Sequence, residues 1–475
     1  MSDPGDDLAF LGAGALARMV RTRQLSPVDL VNLYLARVER LDGRLRAFIT
    51  VCADEARAAA REAERAVARG GKGGPLHGLP FAVKDQFDTA GIRTTVGSRL
   101  LDGHVPAEDA TVVARLKAAG AILIGKLNMS EFALGGTVRF PFGQPRNPWH
   151  LDHQPGGSSG GSGVATAAAL AAFTLGEDTG GSIRGPAAYC GTVGVRATWG
   201  LVSRHGSFGV SWSMDVAGPL TRTVEDSALV LGLLAGPDPK DPLTSRRTVP
   251  DYRAALTGDV RGLRIGLVAE LLDGGTQPEA RAATEAAARV LGKLGAAVEP
   301  VSLPALPLAG AAFMALCDSE GAAAHQRWLK ERPQDYDQAT RRRLYTASLL
   351  PAALYHQAAR ARARIRHEVL DALGRHDLLL SPTAAGPAPP IAVEEEPVTS
   401  KAIAARRFFG HRSHGTPASL AGVPVVAVPC GFSSGGLPLG LALTGRPFDE
   451  ATVLRAAHAY EQATDWHTRR PPLRP

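Results

Sequence analysis

The chain has 475 residues, 45% apolar and 21% charged, a balance that supplies an ordinary core and excludes a disordered or fibrous chain. Its net charge of +7 is spread thinly. No five Lys/Arg run together, and clusters such as Arg341-Arg342-Arg343 read as solvated helix faces, so no nucleic-acid partner is expected. No stretch reaches the roughly 18 uninterrupted apolar residues of a membrane span. The acidic start "MSDPGDDLAF" lacks the basic region of a signal peptide. Cys52, Cys190, Cys317 and Cys430 form no CxxC pair, which predicts reduced thiols in a cytoplasmic protein rather than disulfides or a zinc site.

Residues 8–70 are helical in pattern. "SPVDLVNLYLARVERLD" offers Ser26 as N-cap, Pro27 at the first helical position and apolar residues at helical spacing, and "ADEARAAAREAERAVARGGKGG" is a second, charged helix ending in glycines. From about residue 75 the texture changes. Short apolar runs in "LPFAVKDQFD", "AILIGKLN" and "AAFTLGED" alternate with helical stretches such as "DATVVARLKAAG", the signature of an α/β fold around a buried, largely parallel sheet. A strand–helix–strand unit follows in "LRIGLVAE", "QPEARAATEAAARVLGKLG" and "AAVEPVSLP". Long helices over about 335–374 lead to the strand "HDLLLSP". A Pro-rich loop at 383–400, a candidate mobile pocket wall, precedes the strands "PVVAVPCGF" and "LPLGLALTGRP" and a last helix. With no long linker, the reading is one domain: helices over 1–70, a core over 75–230 and a peripheral α/β part over 231–475.

The segment Pro155 to Gly185, "PGGSSGGSGVATAAALAAFTLGEDTGGSIRG", is dense in glycine and holds four serines. A phosphate loop needs Lys and a hydroxyl residue after its last glycine, but Gly163 is followed by Val-Ala-Thr. A dinucleotide fingerprint and the nucleophile elbow of an α/β-hydrolase both need a preceding strand. "RNPWHLDHQP" is not one, so the G-x-S-x-G match at Gly156 to Gly160 reads as accidental. A serine nucleophile with a lysine base is the third reading. Only 8 of the 53 basic residues are lysines. Lys84, behind the apolar run Leu79 to Val83, is in a setting where burial lowers the pKa; a useful base needs about 3 units of depression. An ion pair at the strand end, with Asp85, explains the same residue, and Lys126 after "AILIG" is in a similar setting.

In order and spacing, "GLPFAVKD", "GGSSGGS", "GEDTGGSIRGPAAYCGTVGVRATWG" and "GPLTRTVED" closely resemble the motifs of the amidase signature family. "QPRNPW", "LLLSPT" and "GVPVVAVPCGF" extend the likeness toward both ends. The resemblance implies a large domain with a central mixed, twisted sheet covered by helices on both faces, and a Ser–cis-Ser–Lys catalytic unit. Carried over residue by residue, Ser182 is the nucleophile, Ser158 the bridging serine and Lys84 the base, working through an acyl-enzyme with no metal or organic cofactor. Gly180 and Gly181 let successive N–H groups aim beside Ser182, giving an oxyanion hole from Thr179, Gly180 and Gly181. By family position Met129 and Trp212 are candidate substrate contacts, with core packing as the alternative. Arg184 could meet a substrate carboxylate or a structural one such as Asp178.

The family includes amidases, carbamate hydrolases and the glutaminase component of tRNA-dependent amidotransferases. "KLNMSEFALGGTVRFPFGQPRNPW", Glu177 in place of a small hydroxyl residue, and the tail "GRPFDEATVLRAAHAYEQATDWHTRRPPL" depart from that component's usual pattern. The expectation is therefore a monomeric or homodimeric hydrolase of a small amide, carbamate or ester. The glutaminase component of an amidotransferase is the alternative, and a non-catalytic scaffold a third reading.

Overall fold

Among the residues the structure describes, 4–71, 73–273, 275–392, 399–401, 403 and 414–473, eleven short strands join one sheet. The structure is a computed structural model. The strands are β1 (Phe48–Val51), β2 (Pro80–Lys84), β3 (Ile122–Leu127), β4 (Phe173–Glu177), β5 (Val193–Arg196), β6 (Ala217–Thr221), β7 (Arg264–Val268), β8 (Ala297–Val301), β9 (Leu378–Pro382), β10 (Val425–Phe432) and β11 (Pro438–Gly445). Their order across the sheet is β1-β3-β2-β4-β6-β5-β10-β11-β9-β7-β8.

Parallel pairing is confined to β3-β2-β4 and β9-β7-β8, and the other six pairings are antiparallel. The sheet is thus mixed, as the resemblance implies, and not largely parallel as the alternation suggests. Four of the antiparallel pairings involve β1, β5 and β6, whose "FITV", "VGVR" and "AGPLT" are too short or too glycine-rich to read as strands. The other two come from β11, which runs antiparallel to both β10 and β9.

Apolar alternation along the central strands builds two cores on opposite faces. Leu378, Leu380, Leu441 and Leu443 join one, while the intervening Leu379 and Ala442 join the other; successive side chains of a strand point to opposite faces. The N-terminal helices Ala13–Arg21 and Pro27–Leu45 cover the first face, with Leu16, Val20, Leu30, Tyr34 and Leu41 in its core. Ser26 caps the second of these helices, accepting from Val28 N at 3.0 Å. Helices Ala309–Glu331, Gln338–Ser348 and Ala352–Arg375 cover the other; the first lies outside the long-helix region expected from sequence.

Glycine density has a packing cause in the helix Gly160–Ala167, whose residues are all buried. A Cβ on Gly161 would stand 2.4 Å from the Ala47 carbonyl oxygen and 2.6 Å from Asn128 N. Only glycine lets this helix lie against the backbone that runs into β1 and out of β3.

Candidate active site

Lys84 and Glu177 are the last residues of β2 and β4, neighbouring parallel strands in register through Val83 and Leu175. Parallel strands end together, so both side chains emerge at one carboxyl edge of the sheet, where ligands of α/β proteins bind. Two loop-to-helix turns come over this edge. One carries Ser158, joined to Gly157 by a cis peptide bond, into helix Gly160–Ala167. The other carries Ser182 into helix Arg184–Cys190.

Ser159 joins the two turns. Its N–H donates to the Ser182 carbonyl at 3.3 Å, and its hydroxyl donates to the Glu177 carbonyl at 3.1 Å. Lys84 Nζ lies 2.8 Å from Ser158 Oγ, 3.0 Å from Glu177 Oε2 and 3.5 Å from the Glu177 carbonyl oxygen. Lys84 is fully buried and Ser158 nearly so, whereas Ser182 is half-buried and open to an incoming molecule. Burial depresses the Lys84 pKa, while the Glu177 carboxylate pulls it back up.

The two lysines that the sequence left alike differ in their partners. Asp85 belongs to Lys126, 3.2 Å away. Lys126 also donates to the Phe87 carbonyl at 2.8 Å and to Thr94 Oγ1 at 2.5 Å. Every donor of Lys126 is occupied by the frame; Lys84 alone of the two faces a serine of the glycine-rich segment.

Asp178 shapes the Ser182 turn. Its carboxylate accepts from Gly181 N at 2.8 Å, Ile183 N at 3.2 Å, Arg184 Nε at 2.9 Å and Arg196 Nη1 at 3.0 Å. Burial alone would raise its pKa, but the two buried guanidiniums hold it below the usual carboxylate range.

Two of the expectations are corrected here. Arg184 donates to Asp178, the Gly415 carbonyl and Ser419 Oγ, so the structural carboxylate is its partner here. Gly181 spends its N–H on Asp178, so it is removed from the oxyanion-hole set. Among the described residues, the N–H groups of Thr179, Gly180 and Ser182 have no protein acceptor. Gly180 is held against Phe313, where a Cβ would come within 2.4 Å of the ring.

Met129 is wholly buried in the second core, in line with the core-packing alternative. Trp212 stands 61% exposed on a turn tied to the site. Val210 N and Ser211 N donate to Asp215 at 2.8 and 2.9 Å, and Thr179 Oγ1 lies 2.8 Å from Asp215 Oδ1 and 2.7 Å from Glu177 Oε1. Sequence reading noticed Glu177 only as a departure from a pattern and missed Asp215, which no local motif marks. The 383–400 loop lies partly outside the described residues; its described part bonds the segment entering Ser158, Gln154 N to the Pro389 carbonyl at 2.8 Å and Ile391 N to the Asp152 carbonyl at 2.8 Å. Among the described residues no group of three or more His, Cys, Asp or Glu could hold a metal ion, the four cysteines are buried and form no disulfide, and no helix is long and apolar enough to cross a membrane.

The amidase family model matches residues 29–454. The chain belongs to the amidase family. Its sequence is 42% identical to the A-type component of the glutamyl-tRNA(Gln) amidotransferase of Roseiflexus sp. (strain RS-1), over 95% of this chain and 96% of that one. Among solved structures, it is similar to a chain from a vestigial protein complex described as revealing the origins of an s-triazine catabolic enzyme (TM-score 0.88, 36% identity, 95% and 98% covered). It is also similar to the peptide amidase of Stenotrophomonas maltophilia (TM-score 0.83, 36% identity, 97% and 98% covered). The amidase-type hydrolase read from the sequence is therefore established at the level of the family.

Proposed function

We propose that this amidase hydrolyses a carboxamide C–N bond through an acyl-enzyme on Ser182. The observation that carries the reading is the 2.8 Å approach of a fully buried lysine amine, Lys84, to Ser158 Oγ. A dry lysine readily becomes a neutral base. In this scheme Lys84 takes the proton of Ser158 as Ser158 takes that of Ser182, and Ser182 Oγ attacks the substrate carbonyl. The N–H groups of Thr179, Gly180 and Ser182 receive the developing oxyanion. The proton returns along the same path to the leaving nitrogen, and water then cleaves the acyl ester. The proton that water gives up in this step passes back to Ser182 along the same relay, and no cofactor enters the scheme.

Two substrate readings follow from different observations. The 42% identity to a component of glutamyl-tRNA(Gln) amidotransferase, along nearly the full length of both chains, favours glutamine as the amide, with further protein chains as partners. The likeness to the peptide amidase of Stenotrophomonas maltophilia and Glu177 favour a stand-alone amidase acting on a small amide, carbamate or ester. A panel of glutamine, arylamides, carbamates, primary amides and esters separates them. Glutaminase activity that appears only with added partner proteins assigns the first, and arylamide turnover by the isolated chain the second. Ser182→Ala should abolish turnover, and a sulfonyl fluoride should label Ser182 in the wild type. Labelling at Ser158 instead, or no turnover on any substrate, overturns the reading in favour of another nucleophile or of a binding scaffold.

A further inference from the structure

We propose that Glu177 is the positioning residue of the base: its carboxylate completes a Ser182–Ser158–Lys84–Glu177 relay, orients the lysine amine and takes up the positive charge that Lys84 acquires. The inference rests on the reading of Lys84 as the base and assigns a role to a residue that the Ser–Ser–Lys unit does not include.

The hydrogen-bond geometry of the amine carries it. A neutral amine has two N–H donors and one lone pair. Lys84 Nζ has three polar neighbours, and two of them, Oε2 at 3.0 Å and the carbonyl oxygen at 3.5 Å, belong to Glu177. Both accept and neither donates. The two N–H bonds therefore turn to Glu177, and the lone pair is left for the hydroxyl of Ser158 at 2.8 Å. When the proton arrives, the ammonium forms 3.0 Å from a carboxylate buried with it, where opposite charges attract most strongly.

Glu177 is itself held from behind. Thr179 Oγ1 lies between Glu177 Oε1 at 2.7 Å and Asp215 Oδ1 at 2.8 Å, yet one hydroxyl carries one proton and donates once. A second proton must sit on a carboxyl. Asp215 is its place, since burial and the charge of Glu177 raise its pKa to about 8. The chain then has one direction: Asp215 donates to Thr179, Thr179 donates to Glu177, and Glu177 stays ionised toward Lys84. The remaining nearby carboxylate, Asp178, is compensated by Arg184 and Arg196, so the titratable groups facing Lys84 are the ionised Glu177, the protonated Asp215 and this neutralised cluster.

The test is the pH profile of kcat/KM on whichever substrate the panel yields. Removing the carboxylate removes its hold on the ammonium, so Lys84 loses its proton at lower pH. Glu177→Gln should move the acid limb down by about one unit or more. It should also lower kcat by roughly 10- to 100-fold with KM nearly unchanged, because the lost interaction belongs to the transition state. Glu177→Asp keeps the charge and should retain the wild-type limb with partial kcat. If Glu177→Gln is too unstable to assay, the rate of Ser182 sulfonylation against pH in Glu177→Asp and Glu177→Thr gives the same readout. A limb shared by the charged and uncharged variants overturns the proposal. Lys84→Ala separates the two levels: turnover by that variant would sink the base itself, whereas a dead Lys84→Ala beside an unmoved Glu177→Gln limb would sink only the role of Glu177.

Discussion

Lys84 and Lys126 sit on adjacent strands with the same burial, and their different surroundings predict different mutant phenotypes. Lys84→Ala should cut the rate by several orders of magnitude; general-base removal alone is worth about 10²- to 10⁴-fold. Glu177 loses its counter-ion in this variant, so stability should fall as well, by about 3–5 kcal/mol, and the rate loss is read on the folded fraction. Lys126→Met leaves the buried Asp85 carboxylate without its counter-ion, held only by the Thr95 N–H and hydroxyl, and should cost about 3–5 kcal/mol of stability. Chemical denaturation would show this loss, with kcat retained in the folded fraction. A stable, inactive Lys126→Met would reverse the assignment. At the exposed end of the site, Trp212→Ala should raise KM with little change in kcat if the indole touches substrate, and steady-state kinetics on the best panel substrate decides this.

Among the elements, the turn 178–184 depends on one carboxylate that satisfies backbone and two guanidiniums together. Asp178→Ala leaves Arg184 and Arg196 buried without a counter-ion, and roughly 3–5 kcal/mol of destabilisation is expected in urea unfolding. The segment that follows β3 is tied to helix Gln338–Ser348 by Glu131, which accepts from Ser98 Oγ at 2.7 Å and from Asp337 N at 2.9 Å. Burial pushes Glu131 up to about 7. A raised carboxyl binds its proton more tightly folded than unfolded, so its ionisation erodes stability as pH rises from about 4.5 to about 7. Glu131→Gln, which cannot ionise, should therefore stabilise the protein by roughly 1–3 kcal/mol at about pH 8 and by little at about pH 4.5. Guanidinium melts at the two pH values would show no difference if Glu131 is not held protonated. Where helix Gly160–Ala167 meets the backbone beside β1 and β3, Gly161→Ala should destabilise by about 1–3 kcal/mol through overpacking.

Across the protein as a whole, the eleven strands form one ladder and each central strand feeds both cores, as Leu379 between Leu378 and Leu380 illustrates. The 231–475 part supplies β7 to β11 and so cannot separate without exposing the edge of β5. Heating should therefore abolish activity and tertiary structure in one transition, followed in parallel by turnover and tryptophan fluorescence. An early melt of the C-terminal part with catalysis intact would divide the chain into two units.

Features that are local, or carried by motif, were legible in the amino-acid sequence alone. Ser26 and Pro27 mark a helix start because capping chemistry involves neighbours in the chain. "LPFAVK" and "AAFTLGE" read as buried strands because their apolar runs are unbroken. The order and spacing of the motifs around Lys84, Ser158 and Ser182 point to one family. Everything that depends on which strands lie side by side waited for the fold. Sheet order put Glu177 rather than Asp85 next to Lys84, gave Asp85 to Lys126, turned Arg184 onto Asp178 and buried Met129. Asp215 reached Thr179 from 36 residues away. These partners come from β2, β4 and the turn before β6, brought together by pairings between short strands, some of which no periodicity reveals. A charge meets its partner through the fold, and a single sequence does not display that distance.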